Sequence, residues 1–391
     1  MTSVWSVSYD DVIAFHGTRR SSGASHCISA SSWNRSVASL DKLYRWGMER
    51  ELIASSPFRH RQMWRRGFGG QRSARAERNM AYEPSAVSSR PRFVSLEVYR
   101  LFNRLGLRGQ TQNGHERPGA RDRNGIRNSL FADLLVSTGL RLEEAGSLLA
   151  CELYATGMEN DTRRQIRFVL APPIGKGNRG RTILIPRRVI VRIQDYIEIE
   201  RASATAKFKA RSAWSRITRP IFAEQSEGDP TMLNLPDGSR ARIDRFGTEE
   251  RQRLVLCTAG MPCAPASLWL SEIGLPVRFN SWEAIFLRAS RRCSGAGLDI
   301  RLSPHQLRHT FAVHMLAMLI EQQISLTTHG VSGMEAYRQL LSDPLQQVQR
   351  LLGHASITTT YVYLEQIAAQ ADTVDTAVER LLALVSNGDV L

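Results

Sequence analysis

The stretch "LSPHQLRHTFAVHML" (residues 302–316) decides the reading of this chain. Ser303 is a good N-cap, Pro304 suits the first helical position, and Gln306 completes an S-x-x-Q capping box. A helix therefore starts here, with His305 and Arg308 three residues apart on one face of its first two turns. The N-terminus of a helix attracts anions, and these two side chains add donors at the same place. The segment reads as a phosphate grip.

Working outward, "DPLQQVQRLLGH" (343–354) uses the same grammar. Asp343 caps, Pro344 starts, Gln346 completes the box and Gly353 ends the helix. His354 is thus held just beyond a helix C-terminus. It is followed by "ASITTTYVYLEQ" (355–366), in which Tyr361 and Tyr363 are two residues apart. On a helix they point to nearly opposite sides, so only one can share a face with His354. Upstream, "STGLRLEEAGSL" (137–148) places Gly139 at a helix end and presents Arg141 from the turn, with Glu144 one helical turn on. "RRQIRFVLAPPIGKGNRGRTILIP" (163–186) reads as two strands around a Gly-rich turn, with Lys176 at the tip.

Composition points the same way. The chain has 391 residues, 42% of them hydrophobic, and a formal net charge of +15. That length favours two domains, and that charge favours an anionic polymer, nucleic acid before a membrane surface. Only Lys42, Lys176, Lys207 and Lys209 supply lysine among 52 basic residues. Each is of interest because lysine gives up its proton and arginine effectively does not. The five cysteines have no metal-ligand or framework spacing, which fits a reducing cytosol. No apolar run is long enough for a membrane helix, so a cytoplasmic protein is expected, with no membrane partner.

Two arginines, a hairpin lysine, two histidines and a tyrosine fit one chemistry, attack of a tyrosine hydroxyl on a phosphodiester. Guanidinium donors stabilise the non-bridging oxygens, one group takes the tyrosine proton and another protonates the departing sugar oxygen. No metal or other cofactor is called for.

These motifs resemble those of the tyrosine recombinases of the phage-integrase family. Thr138 to Glu144 match its T-G-L-R-x-x-E stretch, Lys176 its hairpin lysine, His305 to Thr310 its H-x-L-R-H-T box, and Leu352 to His354 its L-G-H box. The nucleophile follows that histidine by nine residues in a T-T-x-x-Y pattern, which is Tyr363 after Thr359 and Thr360. The resemblance implies that Tyr363 attacks DNA to give a 3′-phosphotyrosyl bond, and that Arg141 and Arg308 hold the phosphate. It implies that Lys176 protonates the leaving 5′-oxygen, His305 assists the tyrosine proton transfer, His354 bonds the phosphate and Glu144 positions Arg141. Strand exchange through a four-way Holliday junction would follow, without ATP.

The implied fold is mainly α with a small β-hairpin or sheet in the catalytic domain. A helical core-binding domain and a mixed α/β catalytic domain would form a C-shaped clamp on DNA. We expect the core-binding domain at residues 1–60, a basic linker at 61–92 and the catalytic domain at 93–391. Residues 200–275 read as an insertion, and 315–342 as an unusually long connection. The tail, 366–391, carries an apolar stripe (Val374, Ala377, Val378, Leu381, Leu382, Val385) for its own domain or a neighbouring protomer. Implied partners are double-stranded DNA target sites and further copies of the chain, a dimer on a site and a tetramer in synapsis, or sister recombinases. A nucleoid association and a mobile-element role accompany them. Two rivals are a type IB topoisomerase and a catalytically silent accessory subunit.

Overall fold

The computed structural model describes residues 3–21, 27–66, 72–85, 92–116, 124–154, 164–328, 343–357 and 359–364. The chain divides into two compact units, Met1–Arg90 and Pro91–Leu391.

The first unit holds helices α1 (Tyr9–Arg20) and α2 (Ala30–Glu49) and a hairpin, β1 (His60–Arg66) with β2 (Arg72–Asn79). Helix α1 opens on a capping box between Ser8 and Asp11. Trp33, Val37 and Tyr44, at near-helical spacing on α2, bury against Val12, Phe58 and Ala81. Trp33 donates its indole N–H to the carbonyl of Ala81 at 2.8 Å. The expected linker at 61–92 is corrected here. β1 and β2 pair antiparallel from His60↔Asn79 to Arg66↔Arg72, and the chain after them returns to the α2 core. Backbone hydrogen bonds, blind to side-chain charge, carry this ladder, so an arginine-rich composition concealed it.

The second unit is a helical body with two sheets. Helix α3 (Leu96–Leu101) widens into a π-helical turn at Phe102–Leu107. Helix α4 (Gly125–Thr138) lies at the centre, with Leu130, Phe131, Leu134 and Leu135 fully buried. Phe131 stacks on Trp282 with ring centroids 3.6 Å apart. The short helices α5 (Leu142–Gly146) and α6 (Ala150–Tyr154) follow. Strands β3 (Gln165–Leu170) and β4 (Arg181–Pro186) form an antiparallel pair. Alternate residues of β3 are buried, which seats Ile166, Phe168 and Leu170 on the main core. Helix α7 (Arg187–Tyr196) runs through a π-turn into α8 (Ala202–Ala210).

Residues 200–275 carry more order than their composition suggests. Strands β5 (Ile221–Ser226), β6 (Asp229–Asn234), β7 (Arg240–Arg242), β8 (Leu254–Thr258) and β9 (Met261–Pro265) make one sheet in the order β7-β6-β5-β8-β9. Only β5 and β8 among them pair in parallel, with α9 (Thr248–Arg253) inside the crossover. The sheet has its own core, including Ala223, Leu233, Ile243 and Leu254. Two buried arginines stitch it to the helices. Arg251 pairs with Glu152 at 2.8 Å, and Arg201 donates to the carbonyls of Pro265 and Ser267.

Helices α10 (Phe279–Gly295), α11 (Pro304–Thr328) and α12 (Pro344–Leu352) complete the body. α11 carries the expected long connection as continuous helix as far as Thr328, and 329–342 lie outside the described residues. The 366–391 tail also lies outside them. The architecture is mainly helical with small sheets, as the sequence motifs imply.

Candidate active site

Two left-handed glycines build the floor of the site. Gly139 ends α4 at φ 66°, and Gly353 ends α12 at φ 64°. Both turns are stopped where a Cβ would collide: at Gly139 with the Phe311 ring and Leu352, at Gly353 with the Arg181 side chain. Arg308 then fastens the two turns together. Its guanidinium donates to the carbonyl of Gly139 and to that of Leu352, the latter at 2.7 Å. The start of α11 is fixed by the expected reciprocal cap, Ser303 N–H to Gln306 Oε1 at 2.8 Å and Gln306 N–H to Ser303 Oγ at 3.4 Å.

Arg141 follows the first glycine turn directly. Glu144 accepts from its backbone N–H and from its Nη1, both at 2.8 Å. The second nitrogen, Nη2, leans 3.5 Å from the carbonyl of Gly353. Glu144 is only 1% exposed. Burial alone would raise its pKa, but Arg181, with Arg141, outweighs this and holds its carboxyl at about 2. It is therefore an anion at neutral pH, seated among cationic guanidiniums.

Arg141, Glu144, Lys176, His305 and Arg308 line one open cleft of about 800 Å³. Lys176 is exposed at the tip of the β3–β4 connection. Burial, and then the neighbouring Arg141, lower the Arg308 guanidinium to about 9, so it is still cationic at neutral pH. His305 is shifted down by burial and by Arg308, Arg141 and Lys176.

His354 sits just past Gly353, where its Nδ1 lies 3.1 Å from Thr360 Oγ1. Burial first, then the surrounding arginines, push it down to about 4, so it is neutral at pH 7. Residues 359–364 are helical, and the helical repeat sets Tyr361 and Tyr363 on different faces. Tyr363 is 2% exposed and packs in a cluster with Phe311, Leu316 and Leu352, its ring nearly parallel to that of His354. Burial raises its hydroxyl above the ordinary tyrosine range, while Arg308 and Arg141 oppose that shift.

Two residues that sequence reasoning passed over belong here. The Tyr363 hydroxyl lies 2.8 Å from Nδ1 of His309. The resemblance implies that His305 assists the tyrosine proton transfer, and its ring packs edgewise on His309 with centroids 4.3 Å apart. His309 was visible as i+4 from His305 on the same helix face. The second is Arg181, whose Nη1 and Nη2 grip Glu144 at 2.8 and 2.7 Å and whose Nε donates to the carbonyl of Leu351. Nothing local marked it, because its partners are 37 and 170 residues away.

The arrangement can hold a tetrahedral anion between cationic donors, beside a buried phenol with an imidazole on its hydroxyl. Residues 115–327, more than half of the chain, match the family model described as the phage integrase family. The chain is similar to the tyrosine recombinase XerC of Shewanella sp. (strain W3-18-1), 30% identical over 132 residues, which are 33% of this chain and 35% of that protein. It is similar to the tyrosine recombinase XerD of Corynebacterium glutamicum, 31% identical over 140 residues, 34% of this chain and 38% of that one. The matches thus span little more than a third of these relatives' lengths. Among solved structures it is similar to the Tn1549 transposon integrase in complex with transposon right end DNA. The TM-score is 0.46 at 14% identity, covering 97% of this chain and 87% of that one. By its match over residues 115–327, which include the turn that carries Arg141 and the start of the helix that carries His305 and Arg308, the chain belongs to the phage integrase family.

Proposed function

We propose that this chain is a site-specific DNA recombinase that cleaves and rejoins DNA through a 3′-phosphotyrosyl link on Tyr363. One observation carries the reading: Arg308 ties the turn bearing Arg141 to the turn bearing His354, beside the buried Tyr363 hydroxyl. That is the set of groups a phosphoryl transfer to tyrosine requires, drawn from sequence positions more than two hundred residues apart. In this reading Arg141 and Arg308 bind the non-bridging oxygens and His354 adds a hydrogen bond. Lys176 reaches from the hairpin to protonate the departing 5′-oxygen. The 5′-hydroxyl of a partner strand then reverses the step, and two rounds resolve a Holliday junction. The first unit would grip the core of the target site, residues 93–391 would carry catalysis, and several copies would assemble on paired sites of a mobile element.

The test uses a pool of nicked duplexes of randomised sequence, in which the fragment beyond the cut diffuses away. The reading expects a detergent-stable, protease-sensitive protein–DNA adduct in the wild type and none in Tyr363→Phe. The duplex recovered from the adduct, placed twice on a plasmid, should yield exchanged products. Resealing without exchange would support type IB topoisomerase action instead. Absence of any adduct would overturn the cleavage chemistry and leave a DNA-binding accessory subunit.

A further inference from the structure

We propose that His309 is a catalytic residue, the group whose Nδ1 takes the proton from Tyr363 as its hydroxyl oxygen attacks phosphorus. The inference rests on the cleavage reading above and names the base that it needs.

The geometry is direct. The Tyr363 oxygen and His309 Nδ1 are 2.8 Å apart, within the reach that general-base catalysis demands. For the phenol to donate, Nδ1 must be unprotonated, which puts the ring proton of the neutral imidazole on Nε2. Burial, then His305, Arg308 and His354, lower His309 to about 4, which keeps it unprotonated at neutral pH. Those neighbours also explain how it becomes a better base at the right moment. A phosphate diester seated on Arg141 and Arg308 brings negative charge beside Arg308, the cation that helps to hold its proton affinity down.

The surroundings fix the ring. His305 packs edgewise against it from the preceding turn of α11, and the Tyr363 ring lies against it at 5.6 Å. His305 lines the cleft and is thereby free to meet a phosphate oxygen. His354 lies nearly parallel to the Tyr363 ring at 6.1 Å, with Nδ1 engaged by Thr360. The step balances. The Tyr363 O–H bond breaks and its proton passes to Nδ1, while the tyrosine oxygen bonds to phosphorus. The P–O5′ bond breaks and the 5′-oxygen takes a proton from Lys176.

Two measurements test the assignment. In histidine-labelled free protein, nitrogen NMR should find His309 as the Nε2–H tautomer, with an Nδ1 resonance that moves in Tyr363→Phe. On the nicked duplex recovered above, His309→Ala should slow adduct formation by about 10²–10⁴-fold while DNA binding and thermal melting hold. Replacing Tyr363 by a ring-fluorinated tyrosine, whose phenol is more acidic, should restore most of that rate in His309→Ala. It should do little for His305→Ala. An Nδ1 resonance indifferent to Tyr363→Phe would overturn the assignment. So would a fluorotyrosine that rescues His305→Ala and leaves His309→Ala slow. A wild type that forms no adduct at all overturns the cleavage reading itself, and the NMR result separates that failure from this one.

Discussion

Arg181 grips the Glu144 carboxylate with both terminal nitrogens, at 2.8 and 2.7 Å, and the two side chains are 9% and 1% exposed. The same carboxylate holds Arg141. A residue of the lysine-bearing hairpin therefore shares one buried anion with Arg141, the arginine that the proposed reading puts on the phosphate. Removing one partner of a buried ion pair leaves charge without compensation, at about 3–5 kcal/mol. Arg141 still attends Glu144, so Arg181→Ala should fall at the lower end, about 3 kcal/mol, read as a shift in the denaturant midpoint. Cleavage should fall in Arg181→Ala as well, since Arg141 loses its fixed anchor. A variant of wild-type stability would show that the pair contributes nothing net.

Acid should reveal the same carboxylate. Its folded-state value of about 2 lies below the roughly 4.3 of an unperturbed glutamate. The depressed group contributes stability above about pH 4.3, and that contribution is lost as pH falls toward 2. Glu144→Gln should be less stable than wild type at neutral pH, and the gap should narrow between about pH 4.3 and 2. Unfolding free energies taken across that window check it. A gap that is constant with pH would mean that Glu144 does not titrate as its partners dictate.

Gly353 supplies a sharper test of packing. Alanine there meets both a left-handed backbone and the Arg181 side chain, whose Cδ lies 2.8 Å from the new Cβ. Gly297 has a similar φ of 81° but opens on free space. The backbone cost, about 1–2 kcal/mol, is common to both. Gly353→Ala should therefore destabilise more than Gly297→Ala, and the excess should shrink in an Arg181→Ala background. Equal melting shifts for the two glycine variants would refute the clash.

Much of this site was legible because caps and glycine stops are local. Ser303 with Gln306, Asp343 with Pro344, and the glycines at 139 and 353 announce helix ends within a few residues, and the site hangs on those ends. The five-stranded sheet was not legible. Its strands are short, β6 and β9 contain proline, and the β5–β8 pairing joins segments separated by a helix. The hairpin of the first unit was hidden by its arginines. Arg181 and His309 were missed for opposite reasons. The partners of Arg181 exist only after folding, whereas His309 stands inside a motif in which the resemblance assigns the tyrosine proton transfer to its neighbour His305.

The two tyrosines should separate cleanly. Tyr363 is buried against His309 and His354, whereas Tyr361 turns to another side of the same short helix. Tyr363→Phe should abolish the covalent adduct and leave DNA binding nearly intact, because only the nucleophilic oxygen is removed. Tyr361→Phe should keep cleavage within a few-fold. Adduct gels and a binding titration on the same duplex report both. An adduct that persists in Tyr363→Phe and vanishes in Tyr361→Phe would move the nucleophile to the other face.

Lys176 tests the leaving-group half of the reaction. It is exposed at the hairpin tip and lines the same cleft as Arg141 and Arg308. Arginine at this position would keep the charge and could still touch a phosphate, but with a pKa above about 12 it does not readily donate a proton. If Lys176 is the general acid, Lys176→Arg should fail on ordinary DNA. It should recover on DNA whose scissile 5′-bridging oxygen is replaced by sulfur, because a thiolate leaves without being protonated. A lysine that merely steers the phosphate gives the opposite pattern: Lys176→Arg works nearly as well as wild type on ordinary DNA, and sulfur rescues nothing. The comparison isolates the second proton transfer from the first, since the sulfur substrate should leave the dependence on Tyr363 unchanged. Rates of adduct formation for both proteins on both substrates decide the matter, and rescue confined to Lys176→Arg is the expected result.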